Sequence, residues 1–83
     1  MLQHRQFKTS ERAIAAIHDD IRRVTGGRNM HWIMVHDIAE RLGLDNNMVD
    51  AAVRAAIDRG WLVGDADPPD SVRLSASSIQ RPI

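Results

Sequence analysis

The 83-residue chain contains no cysteine, so it can form neither disulfide bonds nor a thiolate metal site. Its amino-terminal segment lacks the apolar stretch of a secretory signal, and no uncharged apolar run approaches the roughly 18 residues that a membrane span requires. We therefore expect a cytoplasmic protein with no membrane partner. The length allows one domain and leaves no room for a second.

The sequence also lacks the motifs of catalysis and metal binding. No serine lies in a nucleophile-elbow setting, and no glycine-rich phosphate loop follows a predicted strand. The adjacent acids Asp19 and Asp20 point to different sides of a helix, which prevents shared acid–base chemistry. His36 and Glu40 offer at most two ligands for a metal ion. The prediction is therefore a protein that is not an enzyme and has no cofactor and no metal site.

The charge of the chain is balanced overall but unevenly distributed. Residues 1–31 carry six bases and three acids, whereas residues 32–83 carry five bases and eight acids. A formal net charge of zero argues against a strong field for nucleic acid or membranes. The hydrophobic fraction of 43% and the charged fraction of 27% are typical of a globular domain.

The first predicted helix begins after Ser10, which can cap it, and Glu11 suits the positive end of the helix dipole. The consecutive glycines Gly26 and Gly27 end it. Its apolar stripe consists of Ala13, Ile14, Ile17, Ile21 and Val24. Residues 1–9 form a flexible basic arm without periodicity, residues 10–75 form the domain, and residues 76–83 are a tail that we expect to fray.

A short strand is predicted at 32–34, and a second helix from about Val35 to Leu42. Gly43 can take the positive φ that ends this helix, and Asp45 can cap the next helix with its carboxylate. The apolar residues of the second helix are predicted to face the core, and its polar residues are predicted to face water. The polar residues are His36, Asp37, Glu40 and Arg41.

The third predicted helix, from about Asn46 to Arg59, has the clearest periodicity in the chain. Its inward positions follow the pattern i, i+3, i+4, i+7, i+8, and they are occupied by Val49, Ala52, Val53, Ala56 and Ile57. Two short β-prone runs, 61–63 and 72–74, then predict a hairpin with a loose tip. Trp32 and Trp61 are predicted to close the core between the sheet and the helices, and the alternative is that they stack on nucleic-acid bases.

The predicted order of elements resembles that of the winged helix-turn-helix superfamily of bacterial transcription regulators. The layout is similar to the DNA-binding domain of the SOS-response repressor. The resemblance covers residues 10–75, and the residues that carry it are Ile38-Ala39, Leu42-Gly43-Leu44, Val49, Val53, Ile57 and Gly60-Trp61-Leu62. It implies an α+β fold with three helices and a small antiparallel β-hairpin as the wing. Met34 departs from the pattern, since many members have Ser or Thr as the cap at this position.

In that superfamily the helix after the turn enters the major groove of DNA. The resemblance therefore implies that the third helix presents Asn46, Asn47, Asp50 and Arg54 to the bases, with Ala51 between them. The chemistry is suitable, because Asn can bind adenine, Arg can bind guanine and Asp can accept a hydrogen bond from cytosine. In the alternative interpretation these residues are only the solvated face of an amphipathic helix, with Asp50 and Arg54 paired.

Contacts to the DNA backbone are predicted for Arg41 and Arg73, and also for Arg5, Lys8 and Arg12. The segment 45–70 contains six Asp and only two Arg, and this excess of negative charge would repel phosphate. DNA affinity is therefore expected to be modest. The hypothesis is a sequence-specific duplex DNA-binding protein that regulates transcription. The acidic wing favours an alternative, a protein–protein interaction module that does not bind DNA. A homodimer suits either hypothesis, because DNA half-sites require two reading heads.

Overall fold

A computed structural model describes residues 10–76, and its fold is α+β, as predicted. Three helices and a three-stranded antiparallel sheet follow one another as α1 (Glu11–Thr25), β1 (Ile33–Met34), α2 (Val35–Leu42), α3 (Asn46–Asp58), β2 (Leu62–Gly64) and β3 (Ser71–Leu74). The predicted arm, with Arg5 and Lys8, and the predicted tail beyond residue 76 lie outside the described residues. None of the helices in the described part of the chain has the length and apolar character needed to cross a membrane.

The ends of α1 are those that the sequence predicts. Ser10 Oγ accepts a hydrogen bond from the backbone N–H of Ala13 at 3.2 Å, and Gly26 ends the helix with φ of 67°. Val24 was wrongly placed on the apolar stripe, because its side chain is 41% exposed. The neighbouring Thr25 is buried instead, and its hydroxyl donates to the Ile21 carbonyl oxygen at 2.7 Å. The buried face therefore ends on a polar residue whose hydrogen bond is satisfied within the helix.

The tight connection between α2 and α3 depends on Gly43, which has φ of 66° as predicted. Asp45 occupies the N-cap position of α3, but its carboxylate makes no capping hydrogen bond, so that part of the prediction is wrong. The start of α2 is capped from outside the helix. Met34 provides no side-chain cap, and the backbone N–H of Val35 donates to the carbonyl oxygen of Asp70 at 2.9 Å. The Asp70 carbonyl oxygen in the hairpin loop thereby accepts a hydrogen bond at the start of α2, where the side chain of Met34 cannot.

The sheet has the strand order β1-β3-β2, so β3 lies in the middle and the other two strands are edges. Successive side chains of each strand point to opposite faces of the sheet. One face is buried against the helices, and the other is the outer face. The buried face consists of Ile33, Leu62, Val72 and Leu74. Because Ile33 points inward, Trp32 lies on the outer side, where it is 45% exposed. The prediction that Trp32 closes the core is therefore wrong, whereas Trp61 is half-buried and packs against the core, with its ring centroid 4.9 Å from that of His18.

The buried side of α3 is close to the prediction. Val49, Ala52, Val53 and Ala56 are fully buried, and they join the α1 and α2 residues in one hydrophobic core. Ile57 is only half-buried. Its Cδ1 atom lies beside Gly64, where an added Cβ would come within 3.1 Å of it. Ile57 therefore packs under the hairpin rather than in the centre of the core.

The loop between β2 and β3 is fixed at its base by Asp65. The Asp65 carboxylate accepts hydrogen bonds from the backbone N–H groups of Asp70 and Ser71, at 2.9 and 3.1 Å. The backbone N–H of Asp65 donates to the Ser71 carbonyl oxygen at 3.1 Å. The base of the loop is therefore anchored by one acidic side chain that accepts hydrogen bonds from two backbone N–H groups.

This geometry predicts a specific pH response of the loop. The Ser71 and Asp70 N–H groups hold the pKa of the Asp65 carboxyl below its ordinary value of 3.8. Since the folded-state pKa is the lower one, the contribution to stability is fully present above pH 3.8 and is lost as the pH falls through the folded-state pKa. A carbon-13 NMR titration of the Asp65 carboxyl should give a midpoint below 3.8. The amide resonances of Asp70 and Ser71 should share that midpoint, and Asp65→Asn should abolish their shared transition. A midpoint of 3.8 or higher would contradict the anchoring role.

Candidate nucleic-acid interface

The four residues predicted to contact bases lie on one exposed side of α3. Asn46, Asn47, Asp50 and Arg54 are all solvent-exposed, and Ala51 between them is half-buried. The opposite side of the helix carries the buried core residues. The burial pattern expected for a helix with one free ridge is therefore present, which leaves the side chains of that ridge available to a partner.

The ridge borders an open groove between α2, α3 and the hairpin loop. Asn46 and Asp50 line this groove from α3, and the other lining residues are Met34, Val35, His36, Pro68, Pro69 and Asp70. Asn47 is exposed and is not among the residues that line the groove. Arg54 also faces the hairpin, because it contacts Asp67 of the loop. Three of the four predicted base-contact residues therefore face the hairpin, and Asn47 is the fourth.

Both arginines of the segment 45–70 are already paired with acids. Arg54 Nη1 lies 3.2 Å from Asp67 Oδ1 in the hairpin loop, so the predicted alternative pair with Asp50 is not the one formed. The guanidinium of Arg59 forms two hydrogen bonds with the Glu11 carboxylate, which lower the pKa of Glu11 and raise that of Arg59. With these two cations neutralised, the acids nearby set a negative local charge.

Arg41, a predicted backbone contact, is turned toward α1. Its Nε atom donates to both carboxylate oxygens of Asp20 at 3.1 Å, and its Nη2 donates to Oδ2 at 2.6 Å. Asp20 is fully buried, and Arg23 adds a further contact at 3.0 Å. The hydrogen bond with Asp20 is the first cause of the raised pKa of Arg41. Arg41 is exposed, as predicted, but its guanidinium also compensates the buried charge of Asp20, which was not predicted from the sequence.

The other described backbone candidates also lie away from the groove. Arg73 Nη1 donates to the backbone carbonyl oxygens of Asn29 and Leu74, at 3.2 and 3.4 Å. Its guanidinium lies 5.3 Å from the centroid of the Trp32 ring. Arg12 is exposed in the first turn of α1, beside an apolar hollow that Met48 of α3 also lines. Of these three arginines, only Arg12 lies next to α3.

Two features were missed in the sequence. The first is the buried Asp20–Arg41 link, and its signal was present, because Asp20 lies three residues after Ile17 on the apolar side of α1. The second is the Trp32–Arg73 contact, which depends on the register of two strands that are far apart in sequence. Sequence patterns indicate which face a residue occupies, but they do not give its partner across a sheet.

The histidines do not assemble a metal centre within residues 10–76, where no group of three or more potential ligands is found. His36 Nε2 lies 3.1 Å from Glu40 Oε2 on the exposed side of α2. Burial, followed by the charge of Arg22, lowers the pKa of His18. His36 is therefore paired with Glu40, and His18 is partly buried near Arg22.

Comparison of the chain with protein-family models, with curated proteins and with solved structures finds no match in any of the three.

Proposed function

We propose that the protein binds duplex DNA sequence-specifically through α3 and regulates transcription. The observation that carries the proposal is the exposed ridge with Asn46, Asn47, Asp50 and Arg54, opposite a fully buried face of the same helix. The order of elements and the central position of β3 support a winged helix-turn-helix arrangement, in which the hairpin acts as the wing.

Asn47 and Arg54 are the principal base readers in this proposal. Asn47 is exposed outside the groove and can form two hydrogen bonds with adenine in the major groove. Arg54 can bind guanine once it leaves Asp67. That release costs little, because exposed ion pairs contribute only about 0–1 kcal/mol. Asn46 and Asp50, which line the groove toward the hairpin, would contact bases at the edge of the site.

The phosphate contacts that provide affinity must come largely from outside the α3–hairpin surface. Its two arginines are paired, and Asp50, Asp67 and Asp70 would face a phosphate backbone. Arg12 is exposed and lines the same hollow as Met48 of α3, and the sequence carries two further basic residues before it, at positions 5 and 8. Affinity should therefore be modest and strongly weakened by salt. Two copies bound to half-sites would increase it.

The first test is a salt titration of the full chain with a mixed-sequence duplex of about two helical turns, roughly 20 base pairs. Binding at low salt that weakens as salt rises supports the proposal, and a preferred site can then be selected from a random duplex pool. Absence of binding to the mixed duplex and to the random pool at low salt would overturn it.

Asn47→Ala should reduce binding to the selected site by about 1–3 kcal/mol and leave the thermal unfolding midpoint unchanged, because Asn47 is exposed. Arg54→Ala should have an effect of similar size on the selected site. The matched control for Arg54→Ala is Arg22→Ala, which removes the same charge from the exposed side of α1. The control should weaken binding to all duplexes alike and preserve the discrimination between them. Equal loss of discrimination in Arg22→Ala and Arg54→Ala would contradict base contact by α3.

A second candidate function is protein binding without DNA, and the pairing of both α3-side arginines favours it. A negative surface built from α3 and the hairpin loop, with Asp50 and Asp70 in the groove, complements a basic partner. This candidate becomes the first choice if no duplex binds at low salt. A lysine-rich peptide should then bind in a salt-sensitive way, and Asp50→Asn together with Asp70→Asn should weaken that binding.

A further inference from the structure

The outer face of the sheet carries an exposed aromatic residue beside a cation. The register pairs Val63 of β2 with Arg73 of β3, and Trp32, which directly precedes β1, lies beside Arg73. Met34, next to Ser71, extends this face along β1 and is 52% exposed. We call Trp32, Met34, Val63, Ser71 and Arg73 the outer sheet face. None of these five residues is acidic.

Trp32 is exposed in a way that packing does not explain. Nearly half of its surface is open, at 45%, although tryptophan is the residue that gains most from burial. Its ring lies beside the Arg73 guanidinium at 5.3 Å, so a cation–π contact orients it on the outer face. The Arg73 guanidinium therefore lies over one face of the indole, and within the described residues the remaining exposed part of the ring is open to a flat ligand.

Arg73 keeps donors for an anion. Both of its hydrogen bonds, to the carbonyl oxygens of Asn29 and Leu74, use Nη1. Within residues 10–76, Nε and Nη2 make no hydrogen bond, and neither Asn29 nor Leu74 contributes a negative charge. Arg28, the chain neighbour of Asn29, is exposed and donates only to a backbone carbonyl oxygen. Neither arginine is neutralised by an acid, in contrast to Arg54 and Arg59.

We propose that the outer sheet face binds single-stranded nucleic acid, with a base stacked on Trp32 and a backbone phosphate held by Arg73. Stacking requires an exposed, oriented aromatic ring, and phosphate binding requires a cation with free donors beside it. Trp32 and Arg73 supply both within one contact. The proposal goes beyond duplex binding by α3 and does not depend on it, because neither Trp32 nor Arg73 lies on α3 or lines the groove beside it. Met34 is the one named residue that belongs to both surfaces.

Charge complementarity selects this ligand over a second copy of the chain. Two outer sheet faces brought together would place Arg73 of one copy against a face that contains no acid to compensate it. An intact duplex is also unsuitable, because its bases are stacked inside and offer no free ring surface to Trp32. A single strand supplies an unstacked base and an adjacent phosphate together.

The experiment uses the full chain with Trp61→Phe, so that Trp32 is the sole tryptophan and its fluorescence reports on the outer sheet face. The probe is oligothymidylate of roughly 12 nucleotides, within the range of site sizes for such surfaces. The expected result is saturable quenching of Trp32 fluorescence that weakens as salt rises. No quenching at low salt would overturn the proposal. Quenching that depends on protein concentration without any oligonucleotide would also overturn it, by showing that a second copy covers the face.

Variants then separate stacking from charge. In fluorescence anisotropy with a labelled oligothymidylate, Trp32→Ala should weaken binding by roughly 5- to 150-fold, and Trp32→Phe should retain most of it. Arg73→Met should weaken binding and reduce its salt dependence, whereas Arg22→Met, the control, should preserve the contribution of Trp32. Unchanged affinity in both Trp32→Ala and Arg73→Met would contradict the site. Because Asn47→Ala should leave oligothymidylate binding intact and Trp32→Ala should leave duplex binding intact, failure of this proposal is distinguishable from failure of the α3 proposal.

Discussion

Replacing Arg41 with alanine is expected to lower the free energy of unfolding by about 3 kcal/mol, a large loss for a domain of this size. The reason is the fully buried carboxylate of Asp20, which receives three hydrogen-bond contacts from Arg41 at 2.6–3.1 Å. Without the guanidinium, Asp20 remains in the core region between α1 and α2 with one remaining partner, Arg23. Urea unfolding followed by circular dichroism measures the loss.

Two variants distinguish compensation of a buried charge from ordinary surface pairing. Arg23→Ala removes the other partner of Asp20, but Arg23 is 67% exposed, so its loss should cost only about 0–1 kcal/mol. Adding Asp20→Ala to Arg41→Ala removes the uncompensated charge, and the double variant should be more stable than Arg41→Ala alone. Equal losses in Arg41→Ala and Arg23→Ala, or simple additivity in the double variant, would contradict the assigned role.

This link also explains how α2 is oriented before the turn that leads into α3. Asp20 lies on α1 and Arg41 on α2, so their contact sets the position of the helix that precedes the turn at Gly43. The exposed ridge of α3 follows that turn directly. Loss of the Asp20–Arg41 contact should therefore affect DNA binding through the position of α3, even though Arg41 is turned away from the proposed DNA surface. In this account Arg41 is a positioning residue.

The helices of the domain were predictable from the sequence because their signals are local. Ser10, Gly26 and Gly43 mark ends by capping and by positive φ, and periodic apolar residues mark the buried faces of α1, α2 and α3. The anchored base of the hairpin loop was not predictable in the same way. It depends on one side chain, Asp65, meeting two N–H groups five and six residues further along the chain.

The candidate site was less predictable than the fold, because its character depends on pairs that are distant in sequence. The exposed side of α3 follows from periodicity alone, so Asn47 could be placed by counting. The partners of the arginines could not, since Arg54 pairs with Asp67 across the loop and Arg41 pairs with Asp20 across two helices. Trp32 was misplaced because a two-residue strand gives no alternation long enough to show which face is buried.

Replacing Ile17 with alanine is expected to lower the free energy of unfolding by about 2–5 kcal/mol. Ile17 is completely buried in the middle of α1, and α1 packs against α2, α3 and β3. The substitution removes apolar contacts and leaves a cavity. The surrounding helices can fill this cavity only by shifting from their packed positions. Thermal or urea unfolding measures the effect, and circular dichroism checks that the helical content of the folded state is retained.

Ile57→Ala is the matched control, because it deletes the same atoms from an isoleucine that is only half-buried. Ile57 packs beside Gly64 under the hairpin, where solvent can occupy the space left by its side chain. Its loss should therefore lower the free energy of unfolding by only about 1–2 kcal/mol. The reason is that less apolar surface is returned to water and no closed cavity is left. If Ile57→Ala proved as damaging as Ile17→Ala, the hairpin would belong to the same cooperative core as the three helices, and the groove between the hairpin and α3 would be a rigid feature. A clear difference would show that the hairpin is held mainly by Asp65 and the sheet, and can adjust when α3 meets its partner.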